Sequence, residues 1–206
     1  MTLPSGWRFD RIKDVAVINE RSLGADTSAD EEIDYLEISN VNSSGIVDRN
    51  AIEHLRFGDA PSRARRCVRE GATIISSVRP NLQAVAYIDK RDAHLVCSTG
   101  FYVVSPRIAD LLPRYLYYSL LSDDAKQYFV ATAKGVGYPS IDDKEFGSFP
   151  IAIPPLSEQR RIAAYLDAKR AGFDALAGNL RRQVETLEQY RRSLIHECVT
   201  GKRRCA

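Results

Sequence analysis

A short apolar strand that runs into two prolines and then into a long helical pattern is the feature that most constrains this chain. The passage reads Ile151-Ala152-Ile153-Pro154-Pro155-Leu156-Ser157-Glu158-Gln159-Arg160-Arg161-Ile162. Proline has no N–H to give a sheet ladder, so the strand must stop. Ser157 is then expected to cap a new helix with its hydroxyl, and Glu158 in the first turn suits the positive end of the helix dipole. Arg160 at the third helical position excludes a capping box. A globular unit, residues 1–155, should end here, and a helix with a basic tail, residues 156–206, should begin.

Beyond that point Ile162, Leu166, Phe173, Leu176, Leu180, Val184, Leu187, Leu194 and Cys198 recur at helical spacings, with charged residues between them. This is a seam for another helix. Lys169 and Arg191 occupy seam positions, and the step through Phe173, Leu176, Leu180 and Val184 adds a stutter, so a locally unwound pairing is expected rather than a regular zipper. Gly172 and Gly178 each cost about 1 kcal/mol relative to alanine, which packing must offset. Residues 157–198 would span on the order of 60 Å as one helix, and such a rod needs a partner.

The formal net charge of +2 hides an asymmetry. Residues 156–206 hold 11 Lys/Arg against 6 Asp/Glu, and residues 1–155 hold 18 against 21. Within the acidic portion, residues 56–91 carry 8 Lys/Arg and only 3 Asp/Glu. A local basic stripe of this kind is what nucleic-acid binding requires, with the acidic cluster of residues 26–37 kept away from phosphate. Cys67, Cys97, Cys198 and Cys205 lie far apart without a close Cys-x-x-Cys pair, which supports neither disulfides nor zinc. No secretory apolar segment opens the sequence and no run approaches a membrane span, so a reduced cytoplasm is the expected location.

Residues 33–38, 72–78, 84–88, 95–96, 101–104 and 149–153 read as short strands rich in Ile, Val and Tyr. Pro113 opens a helix carrying Tyr115, Leu116, Leu120 and Leu121, and a second helical stretch passes through Tyr128 and Phe129. The irregular alternation predicts an α+β domain with a curled mixed sheet rather than a doubly wound one.

Three segments of this domain are candidates for touching DNA. Arg63, Arg65, Arg66 and Arg69 would bridge successive phosphates and release counterions; the plain alternative is a solvated basic surface. Residues 77–83 lie between two apolar strands and present Arg79, Asn81 and Gln83, whose paired donors and acceptors match guanine or adenine edges; the alternative is an ordinary polar hairpin loop. In residues 134–140, Gly135 and Gly137 would let the backbone approach phosphate beside Lys134, Tyr138 and Ser140, but no lysine follows the last glycine as a P-loop demands.

Other sites are weaker. Asp142, Asp143 and Lys144 have the ending of many Mg-dependent nucleases, with Asp123 and Asp124 upstream, yet magnesium needs converging carboxylates and these sit on a polar stretch. Pro154-Pro155 lacks the flanking residues of an amino-methyltransferase motif. His54, His94 and His196 have no adjacent nucleophile arrangement, and Trp7 and Cys97 read as core.

Ile153-Pro154-Pro155-Leu156-Ser157-Glu158-Gln159-Arg160-Arg161-Ile162-Ala163-Ala164-Tyr165-Leu166-Asp167 resembles the start of the conserved helix in specificity (S) subunits of type I restriction-modification enzymes. Tyr190-Arg191-Arg192-Ser193-Leu194-Ile195 and Val199-Thr200-Gly201-Lys202 are similar to its far end. Leu3-Pro4-Ser5-Gly6-Trp7 with Ile12 and Val15 resembles the opening of a target recognition domain. Gly71-Ala72-Thr73-Ile74-Ile75-Ser76 and Gly137-Tyr138-Pro139-Ser140-Ile141 match weaker signatures.

The resemblance implies a non-catalytic subunit that binds double-stranded DNA and directs an adenine methyltransferase (M) subunit, which supplies the S-adenosylmethionine site, and a restriction (R) subunit to a bipartite target. No cofactor is implied for this chain. Such subunits usually carry two recognition domains and two conserved helices, whereas this sequence has room for one of each and no internal repeat. It resembles a half-sized subunit that homodimerises through an antiparallel coiled coil, or a fragment of a longer chain. On the first reading Phe173, Leu176, Leu180, Val184, Leu187 and Leu194 form the dimer seam, and Glu158, Gln159, Arg161 and Tyr165 dock the methyltransferase. A small Mg-dependent nuclease and a coiled-coil adaptor without DNA affinity are the competing readings.

Overall fold

The computed structural model describes residues 4–107 and 109–204, so Leu3 of the opening motif and Cys205 lie outside the described residues. Strand β1 (Arg8–Arg11) pairs antiparallel with β10 (Pro150–Ile153), Arg8 opposite Ile153 and Arg11 opposite Pro150. The two ends of the globular unit are thereby joined. A short turn of helix, α1 (Ile12–Val15), leads into β2 (Ala16–Ile18), followed by β3 (Glu32–Leu36), β4 (Glu53–Arg56), β5 (Ala64–Cys67), β6 (Thr73–Ser76), β7 (Val85–Tyr87), β8 (Val96–Ser98) and β9 (Phe101–Pro106). Helices α2 (Pro113–Leu121), α3 (Asp123–Thr132) and α4 (Asp143–Ser148) precede β10, and α5 (Leu156–Val199) follows it.

The α+β class is as the sequence predicts, and the strands divide among three ladders. Besides the β1–β10 pair there are two four-stranded sheets, β2-β9-β6-β7 and β4-β3-β8-β5. The first is antiparallel throughout; the second is mixed, because β3 runs parallel to β8. Strands β8 and β9 belong to different sheets although only Thr99 and Gly100 separate them. That crossing produces the curl.

Strands β1, β4 and β5 fall where the sequence shows charge rather than alternation, and β2 is an apolar segment of only three residues. Ala64–Cys67, read as part of a basic loop, is a strand with a bulge between Ala64 and Arg66. Its arginines are tolerated because aromatic faces meet them: the Arg65 guanidinium lies 4.3 Å from the Phe57 ring centroid and that of Arg66 5.9 Å from Tyr102.

Two of the three hydrophobic clusters among the described residues make up most of the core. One lies among α1, the α2–α4 helices and the antiparallel sheet, where Tyr102 stacks on Phe146 at 4.0 Å between ring centroids and Phe146 on Phe129 at 5.2 Å. The other collects Leu36, Ile74, Ile88, Leu95, Phe101 and Val103. Each such side chain is worth roughly 1.5–3 kcal/mol of burial. Cys97 sits in the second core, and burial pushes its thiol pKa up to about 12, which suits an inert packing residue.

Helix α5 starts at Leu156, so Ser157 lies within the first turn rather than at the cap. The Pro155 carbonyl accepts from the backbone N–H groups of Glu158 and Gln159 instead. The compact unit runs to Ala163, which includes the first two turns of α5; Ala164 onward forms the second unit. Trp7, half-buried, donates its indole N–H to Glu158 at 3.0 Å. Gln159 is completely buried, and both ends of its amide are used. Its Oε1 accepts from the Leu112 N–H at 2.8 Å, and its Nε2 donates to the carbonyls of Asp110 at 2.6 Å and Pro154 at 2.8 Å.

In the second unit the seam residues stand in solvent. Phe173, Leu176, Leu180, Val184 and Leu187 are 52–68% exposed, and a Cβ added at Gly172 or Gly178 would meet nothing within 4 Å. Leu194 is partly covered. No described helix is long and apolar enough to cross a membrane.

Candidate nucleic-acid interface

Two of the three sequence-predicted segments meet. Residues 77–83 leave β6 through Ser76, whose hydroxyl bonds the Val78 carbonyl at 2.7 Å, and through Ser77, whose hydroxyl bonds that of Gly100 at 2.9 Å. Pro80–Leu82 then form a turn of 3-10 helix bracketed by left-handed residues, Arg79 at φ 50° and Gln83 at φ 50°. Neither is glycine, and each left-handed residue costs about 1–2 kcal/mol, so the surroundings must impose the shape. Part of that imposition is visible. Gln83 turns its amide inward and donates to the Leu121 carbonyl at 3.4 Å, Pro80 is buried, and Asn81 remains exposed.

Residues 134–140 close on themselves through reciprocal backbone bonds, Lys134 N–H to the Ser140 carbonyl at 2.8 Å and Ser140 N–H to the Lys134 carbonyl at 2.9 Å. Gly135 at φ 105° and Gly137 at φ 83° supply backbone conformations that L side chains rarely adopt. The Lys134 ammonium bonds Asp142 at 2.7 Å; the lysine pKa is raised and the aspartate pKa lowered, each chiefly by that bond. Asp142 also caps α4 by accepting the Glu145 N–H.

The two segments are fastened by main-chain atoms. Arg79 N–H donates to the Pro139 carbonyl at 2.7 Å, Ile141 N–H to the Ser77 carbonyl at 2.8 Å, and Val78 bridges Ser140. The Arg79 guanidinium then lies 4.1 Å from the centroid of the Tyr138 ring. The result is one surface presenting Arg79, Asn81, Leu82, Val136 and Tyr138. Val136, fully exposed, is the candidate that the sequence reading passed over; its flanking glycines were the available signal.

The arginine row is engaged within the domain. Arg63 bonds the Tyr35 hydroxyl at 3.1 Å and pairs with Glu37, while Arg69 bonds the Ser105 hydroxyl at 3.1 Å and Glu20 at 3.0 Å. Arg65 and Arg66 stack on rings, each with one buried guanidinium nitrogen that finds no hydrogen-bond partner among the described residues.

Asp143, His54 and His94 have structural partners. Asp143 accepts the Tyr102 hydroxyl at 2.8 Å, and burial together with that carboxylate drives the tyrosine pKa upward. Asp123 and Asp124 occupy the first turn of α3. Asp34 takes both His54 and His94. Among the described residues no group of three His, Cys, Asp or Glu side chains is placed to hold a metal ion. On α5, Glu158 and Gln159 face the domain through the bonds above, whereas Arg161 and Tyr165 are exposed one turn apart.

The chain as a whole is similar to known proteins. Residues 4–186 match the family model described as the type I restriction modification DNA specificity domain. The type I restriction enzyme HindI specificity subunit of Haemophilus influenzae is 28% identical over 132 residues, 62% of this chain and 29% of that protein. The putative MjaX specificity subunit of Methanocaldococcus jannaschii is 24% identical over 96% of this chain and 46% of its own. Among solved structures, the HsdS subunit of Thermoanaerobacter tengcongensis superposes with a TM-score of 0.74 at 27% identity, covering 95% of this chain and 48% of that one. A chain from a study of complex assembly in the type I R-M system gives 0.77 at 26%, covering 98% and 50%. The chain thus spans half or less of the length of these relatives. With the match covering both the globular unit and most of α5, the chain belongs to the type I restriction modification DNA specificity domain family.

Proposed function

We propose that this chain recognises DNA without catalysing a reaction, as the specificity component of a type I restriction-modification system. The observation that carries the reading is the fused surface of residues 77–83 and 134–140. It projects Arg79 and Asn81, side chains suited to base edges, from a backbone stiffened by two left-handed residues and three interloop contacts. Gln83 supports the loop from within. Arg63 and Arg69, about half exposed, reach phosphate by exchanging Glu37 and Glu20 for it. The partners on this reading are the methyltransferase subunit, which carries S-adenosylmethionine, and the restriction subunit, in the cytoplasm. A second copy of the chain pairs antiparallel along the α5 seam and supplies the other half-site.

A symmetric dimer reads an interrupted palindrome. Methylation mapping in cells carrying this chain and its methyltransferase is expected to show two inverted half-sites around an unread spacer. Arg79→Ala and Asn81→Ala should relax individual half-site positions, each by about 1–3 kcal/mol. An asymmetric or contiguous motif rejects the homodimer, and a chain with no DNA affinity at any salt concentration is an adaptor.

For methyltransferase docking, the exposed pair Arg161 and Tyr165 is the surface to test. Arg161→Glu with Tyr165→Ala should abolish co-purification while leaving the fold intact. Retention of the partner moves the dock elsewhere.

A further inference from the structure

We propose that Tyr138 and Val136 set part of the specificity: Tyr138 aligns the Arg79 guanidinium on a guanine edge, and Val136 reads the methyl group of a neighbouring thymine. This rests on the DNA-recognition reading above. Arg63 and Arg69 are each held by a carboxylate; Arg79 has none among the described residues and lies instead on the Tyr138 ring at 4.1 Å. The difference is chemical. A carboxylate consumes the in-plane N–H donors of a guanidinium, whereas an aromatic face attracts the cation through its π surface and leaves those donors free. Two of them match the O6 and N7 acceptors of guanine, and the ring restricts the rotamers from which they are presented.

The attachment of Arg79 also favours a fixed presentation. Its backbone is left-handed, and its N–H is bonded to the Pro139 carbonyl, next to the tyrosine on which it rests. Ring and guanidinium are thereby carried on one hydrogen-bonded frame. Tyr138 is 72% exposed, so its place is not explained by core packing.

Val136 stands at the tip of the same closed loop, 105% exposed, between two glycines in left-handed conformations. The reciprocal Lys134–Ser140 backbone bonds hold that tip open instead of letting the valine fold back on the domain. The apolar group that base edges offer in the major groove is the thymine C5 methyl, and a small branched side chain on a narrow loop is the matching contact. Beside a guanine-reading arginine, it assigns the half-site a guanine with a thymine close by.

The test begins with the methylated motif mapped for the unaltered chain and its methyltransferase. Binding is then measured on duplexes carrying that motif, with 7-deazaguanine in place of the half-site guanine or deoxyuridine in place of the thymine. The unaltered protein should lose about tenfold or more on the deazaguanine duplex. Tyr138→Phe should keep that discrimination, and Tyr138→Ala, checked for unchanged circular dichroism, should lose it by weakening binding to guanine alone. Val136→Ala should bind thymine and deoxyuridine duplexes alike. A mapped half-site lacking guanine or thymine, guanine discrimination that survives Tyr138→Ala, or a thymine preference that survives Val136→Ala overturns this assignment alone. Absence of any motif and of any binding by the unaltered protein removes the DNA reading and the assignment together.

Discussion

Replacing both Leu180 and Leu187 with lysine is expected to convert a dimer of this protein into a monomer. The two leucines are 52% and 66% exposed in the single chain, so covering them against a second helix recovers hydrophobic free energy that folding alone leaves unrealised. At roughly 1.5–3 kcal/mol per fully buried leucine, the two positions of one chain account for ~3–6 kcal/mol before the cost of desolvating new ammonium groups. Both helices of a homodimer carry the replacements, so the dissociation constant should weaken by at least about 10²-fold. Sedimentation equilibrium reads the change directly, and far-ultraviolet circular dichroism should show helix loss, because a long helix with an exposed apolar seam depends on its partner. If the unaltered chain sediments as a stable monomer at micromolar concentration, the dimer proposal is lost.

Gln159→Leu should destabilise the globular unit by about 3–5 kcal/mol, the sum expected for stranding several buried polar groups. Shape is nearly preserved, yet the Leu112 N–H loses its acceptor, and the carbonyls of Asp110 and Pro154 lose their donor. All three lie at the root of α5, so the helix start should loosen from the domain before the sheets do. Urea unfolding of the variant against Arg161→Ala, an exposed neighbour expected to change stability by less than about 0.5 kcal/mol, isolates the effect. Equal midpoints for the two variants would show that the buried amide contributes nothing.

Helix α5 was legible because its apolar spacing persists over many turns, and α2 because Pro113 marks its start. Strand β5 was hidden because the usual alternation is replaced by consecutive arginines, and only the tertiary fold brings Phe57 and Tyr102 to meet them. Gln159 was misleading in a different way. Its place in the most recognisable motif suggests a surface for a partner, whereas two of the three backbone groups it satisfies belong to a segment some fifty positions upstream, a relation that sequence spacing does not encode. Arg79 and Tyr138 were each visible as candidates, but their stacking depends on a sheet bridge between Val78 and Ser140.

The hydrogen bonds that fasten residues 77–83 to 134–141 use main-chain carbonyls and amides: Arg79 to Pro139, Ile141 to Ser77, and the Val78–Ser140 bridge. Any side chain compatible with the backbone angles can occupy positions 79, 81, 136 and 138 without disturbing those bonds. On the proposed reading, folding and recognition are thus encoded in separate atoms of the same residues. A lineage can drift to a new target by exchanging four side chains on an unchanged frame, and a laboratory library confined to these positions should yield folded proteins at high frequency even where their preferences diverge.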